Sequence, residues 1–166
     1  LVGDIPQELW NLTNLTTLDM SSNDLTGSLP SEVNNLTDLN RFEFSGNNLS
    51  GNIPSSIGDL VSLNRLWLDN NDLSGEIPEE IGNLINLTSL YLNGNQLSGY
   101  IPESICNLNL TYSFNFSNNS LCSPIPDCVI NAHSGNYYYS NQNTENCPVQ
   151  DCAGECFGDA IIDDCG

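Results

Sequence analysis

The chain has 166 residues and carries two Lys+Arg against 21 Asp+Glu, a formal net charge of −19. That balance excludes DNA, RNA and anionic membranes as partners, because each needs clusters of Lys and Arg. A single histidine, His133, removes most histidine-based triads and multi-histidine metal sites, and no run of 18 apolar residues is present to span a bilayer.

In chain order, Leu1 to Pro6 read as the second half of a unit whose full form follows. Asn23, Asn47, Asn71, Asn95 and Asn119 recur every 24 residues. The pairs Leu18/Met20, Phe42/Phe44, Leu66/Leu68, Leu90/Leu92 and Phe114/Phe116 precede them at constant offset. Leu25, Leu49, Leu73, Leu97 and Leu121 follow, then Gly27, Gly51, Gly75 and Gly99, then Ile-Pro or Leu-Pro pairs from Ile5-Pro6 to Ile125-Pro126. Alternation as in Leu66-Trp67-Leu68 predicts a strand with every second side chain turned out. One unit is too small to bury its own leucines, so neighbouring units must stack to close a core. The recurrent asparagine is expected to bond backbone groups inside the turns, and the prolines to bend the chain.

Written out, the unit is LxxLxxLxLxxNxLxGxIPxxIGx, which resembles the plant-type leucine-rich repeat over roughly residues 1 to 129. The resemblance implies an α/β solenoid, a right-handed superhelix of 24-residue repeats with a concave parallel β-sheet. The expected organisation is a solenoid over 1–121 that starts mid-repeat, a cysteine-containing cap over 122–150, and a Cys/Asp-rich tail over 151–166. A start inside a repeat implies residues upstream, or another chain covering the open end; self-association there, or through the acidic tail, is an expectation.

All seven cysteines lie at or after Cys106, which predicts a fold stapled at one end in an oxidising, extracellular or cell-surface setting. Cys106, Cys122, Cys128 and Cys147 allow three pairings; stacking favours Cys106–Cys128 with Cys122–Cys147. Residues 131–146 hold too few aliphatics for another repeat, and the tyrosines at 137–139 are expected to lie over the end of the core. The tail DCAGECFGDAIIDDCG resembles CxGxCxGDAxxDxCG modules of secreted microbial and algal surface proteins. Its cysteines, Cys152, Cys156 and Cys165, are one short of even pairing. Its acids, Asp151, Glu155, Asp159, Asp163 and Asp164, make calcium a candidate ligand beside the simpler reading of a solvated acidic tail.

Aligning the units gives three outward columns on the expected concave sheet. They are Thr17, Arg41, Arg65, Ser89, Ser113; then Asp19, Glu43, Trp67, Tyr91, Asn115; then Ser21, Ser45, Asp69, Asn93, Ser117. Both basic residues fall side by side in one column, about 5 Å apart at ordinary strand spacing. Like charges so placed repel, and large aromatics stand beside them. Arg41, Glu43, Arg65, Trp67, Asp69, Tyr91 and Asn93 are therefore the candidate ligand-binding residues. Paired arginines would grip a carboxylate, sulfate or phosphate while aromatics stack on an apolar or sugar face. The competing reading is that Glu43 and Asp69 neutralise the arginines in place. Glu32, Glu79 and Glu80 fall on the outer side, with no cleft to perturb them, so catalysis is not expected. The expected function is non-enzymatic recognition or adhesion toward a protein, peptide or glycan. A structural subunit in an end-to-end or calcium-linked fibre is the alternative, and an ice-binding solenoid ranks last.

Overall fold

The structure is a computed structural model that describes residues 1–108, 110, 113–131, 139–145 and 147. The tail with Asp151, Glu155, Asp159, Asp163, Asp164, Cys152, Cys156 and Cys165 lies outside the described residues, as does His133.

Each unit makes two strands and one helical turn. One set of strands is β1 (Val2–Asp4), β3 (Asp24–Thr26), β5 (Ser50–Gly51), β7 (Asp72–Glu76), β9 (Gln96–Tyr100) and β11 (Ser120–Cys122). The other is β2 (Thr17–Asp19), β4 (Arg41–Glu43), β6 (Arg65–Trp67), β8 (Ser89–Tyr91) and β10 (Phe114–Asn115). The second set forms one five-stranded parallel sheet, β10-β8-β6-β4-β2, in which Arg41 faces Arg65 and Glu43 faces Trp67. The first set splits into β1-β3 and β11-β9-β7-β5, a second parallel layer on the far side of each turn. These features make the chain a solenoid of stacked repeats.

On the outer side stand five 3-10 turns, Gln7–Asn11, Ser31–Asn35, Ser55–Asp59, Glu79–Asn83 and Glu103–Asn107. The Ile/Leu-Pro pairs set their position. Proline holds an extended conformation at the N-cap, φ −70° and ψ 142° at Pro54, and its carbonyl accepts the first i+3 bond, from Ile57 N–H at 3.0 Å. The next leucine, such as Leu60, must dive into the core five residues on, so the turn ends before an α-helix is established. Among the described residues the α-helix is Asp127–Asn131, in the cap.

The inward side chains form one continuous core, from Ile5 and Trp10 through the leucine and phenylalanine columns to Phe116 and Leu121. Stacked this tightly, the turns restrict certain positions. A Cβ on Gly58 would stand 2.5 Å from the Glu80 carbonyl oxygen of the next turn. Gly75 sits at φ +76°, where a Cβ would also stand 2.5 Å from Asn52 Oδ1.

The asparagine ladder is continuous because successive amides share carbonyls. Asn71 Nδ2 donates to Phe44 O at 2.9 Å and Leu68 O at 3.1 Å, while its Oδ1 accepts from Leu49 N–H at 3.0 Å. Phe44 O also accepts from Asn47, and Leu68 O from Asn95. The ladder thereby pairs the buried backbone groups it reaches, such as Leu49 N–H, Phe44 O and Leu68 O, without water.

The cap goes further than its composition suggests. Gln142 Nε2 donates to Phe116 O at 2.9 Å and Tyr139 O at 3.2 Å, and its Oε1 accepts from Leu121 N–H at 3.0 Å. This is the asparagine pattern with one more methylene, at a spacing of 23 rather than 24 from Asn119. Asn141 repeats the left-handed conformation, φ 57°, found at Asn70 and Asn118. The described residues 139–143 therefore carry the ladder one rung past Asn119, where aliphatic counting expects no repeat, because hydrogen bonds rather than leucines define it. Tyr139 packs against the core and its hydroxyl donates to Leu121 O at 2.8 Å; Tyr137 and Tyr138 are outside the described residues. Cys106–Cys128 and Cys122–Cys147 are disulfide-bonded, the pairs that stacking favours.

Candidate functional site

The concave sheet carries its side chains outward in the three expected columns, and the structure brings their charged and aromatic members into one network. Glu43 lies between the two arginines. Its Oε1 accepts from Arg41 Nε at 3.0 Å and Nη2 at 2.9 Å, and from Arg65 Nη1 at 3.1 Å; Oε2 accepts from Arg41 Nη2 at 3.0 Å. The Glu43 side chain is 4% exposed, against 42% for Arg41 and 36% for Arg65. Glu43 is thus covered by its partners. Its carboxylate also explains how two arginines tolerate adjacent strands: one buried negative charge holds both.

Arg65 turns its guanidinium over Trp67, 4.4 Å from the ring centroid, an attraction between cation and π face. Trp67 meets Tyr91 edge to face at 5.4 Å and 77°. The Trp67 indole N–H donates to Ser89 Oγ at 2.7 Å, and Ser89 Oγ lies 2.9 Å from Ser113 Oγ. Ser89 was not singled out from the sequence because its column neighbour is Arg65. Its contact with Trp67 runs diagonally between strands, and the diagonal offset of 22 residues is the signal that would find it. The result is a fixed, half-buried tier of Arg41, Arg65, Trp67 and Tyr91 braced from beneath by Glu43 and Ser89.

Asp69 does not join this network. Its Oδ1 accepts from Ser45 Oγ at 2.5 Å and its Oδ2 from Asn70 Nδ2 at 2.7 Å, and among the described residues it forms no ion pair. Among the described residues Glu43 is the one ion-pair partner of both arginines, so the cluster keeps a net positive charge. Beside Asp69 in the same column, Asn93 Oδ1 is shielded from solvent and accepts no hydrogen bond. Asp19, on the outermost concave strand, is exposed. The backbone N–H of Ser21, at 3.0 Å, holds its carboxyl below the ordinary range, helped by the Ser21 hydroxyl and more weakly by Arg41.

Elsewhere the surface is plainer. Glu32, Glu79 and Glu80 stand exposed in the first turns of their 3-10 segments. Among the described residues no group of three or more His, Cys, Asp and Glu is placed to hold a metal ion. No helix among them is long and apolar enough to cross a membrane. At the Leu1 end, Leu1, Val2, Ile5, Met20, Leu25 and Phe44 line an apolar hollow.

The Leucine Rich Repeat family profile matches residues 14–36, 38–60, 62–84 and 86–108. A search of curated proteins returned no match. Among solved structures, the chain is similar to the Arabidopsis receptor kinase HAESA, solved with the peptide hormone IDA and the co-receptor SERK1. Identity is 37% over 94% of this chain and 25% of that chain, with a TM-score of 0.79. It is also similar to the ectodomain of GASSHO1/SCHENGEN3 from Arabidopsis thaliana, in complex with CASPARIAN STRIP INTEGRITY FACTOR 2. Here identity is 40% over 72% of this chain and 14% of that chain, with a TM-score of 0.69. A plant ice-binding protein matches at 34% identity over 73% of this chain and 39% of that chain, again with a TM-score of 0.69. The chain spans a quarter or less of the length of the two receptor ectodomains.

Proposed function

This chain belongs to the leucine-rich-repeat family, and on that footing we propose that it is a non-catalytic binding module whose concave sheet docks a peptide or protein partner. The observation that carries the reading is the braced tier of Arg41, Arg65, Trp67 and Tyr91. Large aromatics and arginine held in fixed rotamers on an open sheet contribute contact area at little cost in side-chain ordering. A solenoid face needs none of them for its own stability, since Ser and Asn suffice in the other repeats. HAESA, of the same fold, is solved with a peptide hormone and a co-receptor, and the GASSHO1/SCHENGEN3 ectodomain with CASPARIAN STRIP INTEGRITY FACTOR 2. The two disulfides support an oxidising, extracellular location.

Selection of peptides from a displayed random library tests the proposal, with wild type and a Trp67→Ala/Tyr91→Ala double variant run in parallel. Trp67 is half-exposed and Trp10 fully buried, so a shift in tryptophan emission on binding reports the concave face. Binders that quench Trp67 and are lost in the double variant are expected. Binders indifferent to both substitutions overturn the reading.

A second reading is supported by the plant ice-binding relative. Thr26, Ser50, Ser74 and Ser98 recur every 24 residues on the second strand layer, a diagonal series of hydroxyls because paired residues there are 22 apart. Thermal hysteresis in the purified protein, abolished by Ser74→Tyr, is the result this reading requires.

A further inference from the structure

We infer that the concave face takes an acidic extended segment, one that sets an Asp or Glu carboxylate against Arg41 and Arg65 and an apolar side chain against Trp67 and Tyr91. The inference rests on the concave face being the docking surface, and adds to it the chemistry of the ligand.

Three observations carry it. The first is the supply of donors. A guanidinium donates from every nitrogen and accepts nothing. Glu43 engages Arg41 through Nε and Nη2, and Arg65 through Nη1. Arg41 Nη1, Arg65 Nε and Arg65 Nη2 have no partner among the described residues. The second is the balance of charge within the cluster. Two guanidinium groups share one carboxylate, which leaves one positive charge over. A ligand carboxylate brings the cluster to two cations and two anions. Arg41 and Arg65 are also the whole of the chain's Lys and Arg, so no other basic side chain competes for that carboxylate. The third is preorganisation. Glu43, 4% exposed, ties both guanidinium groups in place, and the Trp67 ring lies 4.4 Å from that of Arg65. Both arginines nevertheless stay partly open to solvent. Side chains held this way lose little further freedom on binding, so a charge-assisted bond to them is kept as affinity.

Geometry places the second anchor. Arg41 pairs with Arg65 and Glu43 with Trp67 across β4 and β6, and Trp67 pairs with Tyr91 across β6 and β8. The centre of the aromatic pair therefore stands one strand spacing across and two residues along from the centre of the arginine pair. That separation is about 8 Å on one face of the sheet. Residues two apart in an extended ligand share a face at about 6.8 Å, and side-chain reach closes the difference. Adjacent residues of such a ligand point to opposite faces and do not serve both anchors.

The test uses acetylated, amidated peptides of equal length that carry Glu and Leu two positions apart, bound to the full chain and followed by Trp67 emission. Each has a counterpart with Gln in place of Glu. The acidic peptide is expected to bind about tenfold more tightly than its Gln counterpart, and to lose that advantage when Glu and Leu are made adjacent. In Arg65→Ala, whose fold is checked by circular dichroism, the preference for Glu over Gln is expected to shrink severalfold. The comparison of Glu with Gln needs no variant, so it decides the matter even where Arg65→Ala unfolds. Equal binding of the two peptides, or stronger binding of a net-positive set, overturns the inference while leaving the concave face as the docking surface. A further set with a free carboxyl terminus separates the two sources of a carboxylate. Binding that requires the free terminus and ignores the exchange of Glu for Gln overturns the assignment to an acidic side chain. Binding that Trp67→Ala and Tyr91→Ala leave unchanged removes the docking surface itself, and the inference with it.

Discussion

Replacing Asn71 by Ala removes one rung from the middle of the internal ladder, and the structure shows how much each lost bond matters. The Leu49 N–H is left in a dry bend with no acceptor, since Asn71 Oδ1 at 3.0 Å is its partner. Phe44 O and Leu68 O each lose one donor but keep another, Asn47 and Asn95 respectively. An orphaned buried donor costs about 1–3 kcal/mol and each lost but compensated bond about 0.5–1, so the variant is expected to lose about 2–5 kcal/mol. That is a large share of the roughly 5–15 kcal/mol typical of a domain. Equilibrium urea denaturation followed by far-ultraviolet circular dichroism measures it. The internal control is Gln142→Asn, which keeps the amide but shortens the reach by one methylene at the 23-residue spacing. It breaks the terminal, partly exposed rung, so a loss of only about 1 kcal/mol is expected, expressed as opening of the cap. An Asn71→Ala loss below about 0.5 kcal/mol, or one equal to that of Gln142→Asn, would refute the reasoning from shared carbonyls.

Other consequences follow from close contacts and charges. Gly58→Ala drives a methyl against the Glu80 carbonyl oxygen, 2.5 Å away; a loss of about 1–3 kcal/mol is expected from overpacking, read as a lowered urea midpoint. Glu43→Ala leaves Arg41 and Arg65 facing each other without their shared carboxylate. Both remain partly solvated, so the expected loss is about 1–2 kcal/mol, less than for a fully buried pair, and partly restored by high salt. Burial pushes the Tyr139 phenol above its ordinary value of 10.0. Its folded state holds the proton more tightly than the unfolded chain, so this stabilisation is complete below about pH 10 and is lost as the pH rises through the folded pKa. Alkaline titration of tyrosine absorbance, compared with Tyr139→Phe, is expected to show cap opening that the variant lacks.

The repeat register was legible in the sequence because a solenoid translates sequence period directly into space. Residues 24 apart, such as Asn47 and Asn71 or Arg41 and Arg65, become neighbours without any long-range search, and period-2 alternation decides which side chains leave the core. The same regularity made the pairing of Cys106 with Cys128 and of Cys122 with Cys147 readable, since one turn of stacking brings each pair within reach. What periodicity does not carry is anything set by side-chain reach or by offsets other than 24. Gln142 substitutes for asparagine at a spacing of 23 because its longer arm closes the gap, and Trp67 finds Ser89 on a diagonal. The state of the arginines belongs to this class too. Column alignment put Glu43 in the column next to the arginines and Asp69 one column further; in the structure Glu43 lies within hydrogen-bonding distance of both, whereas Asp69 is taken by Ser45 and Asn70. The sequence by itself determined the stack, its columns and its staples. Only the tertiary structure decided which charges pair on the face, because that depends on distances of a few ångströms between side-chain ends, which the repeat period does not specify.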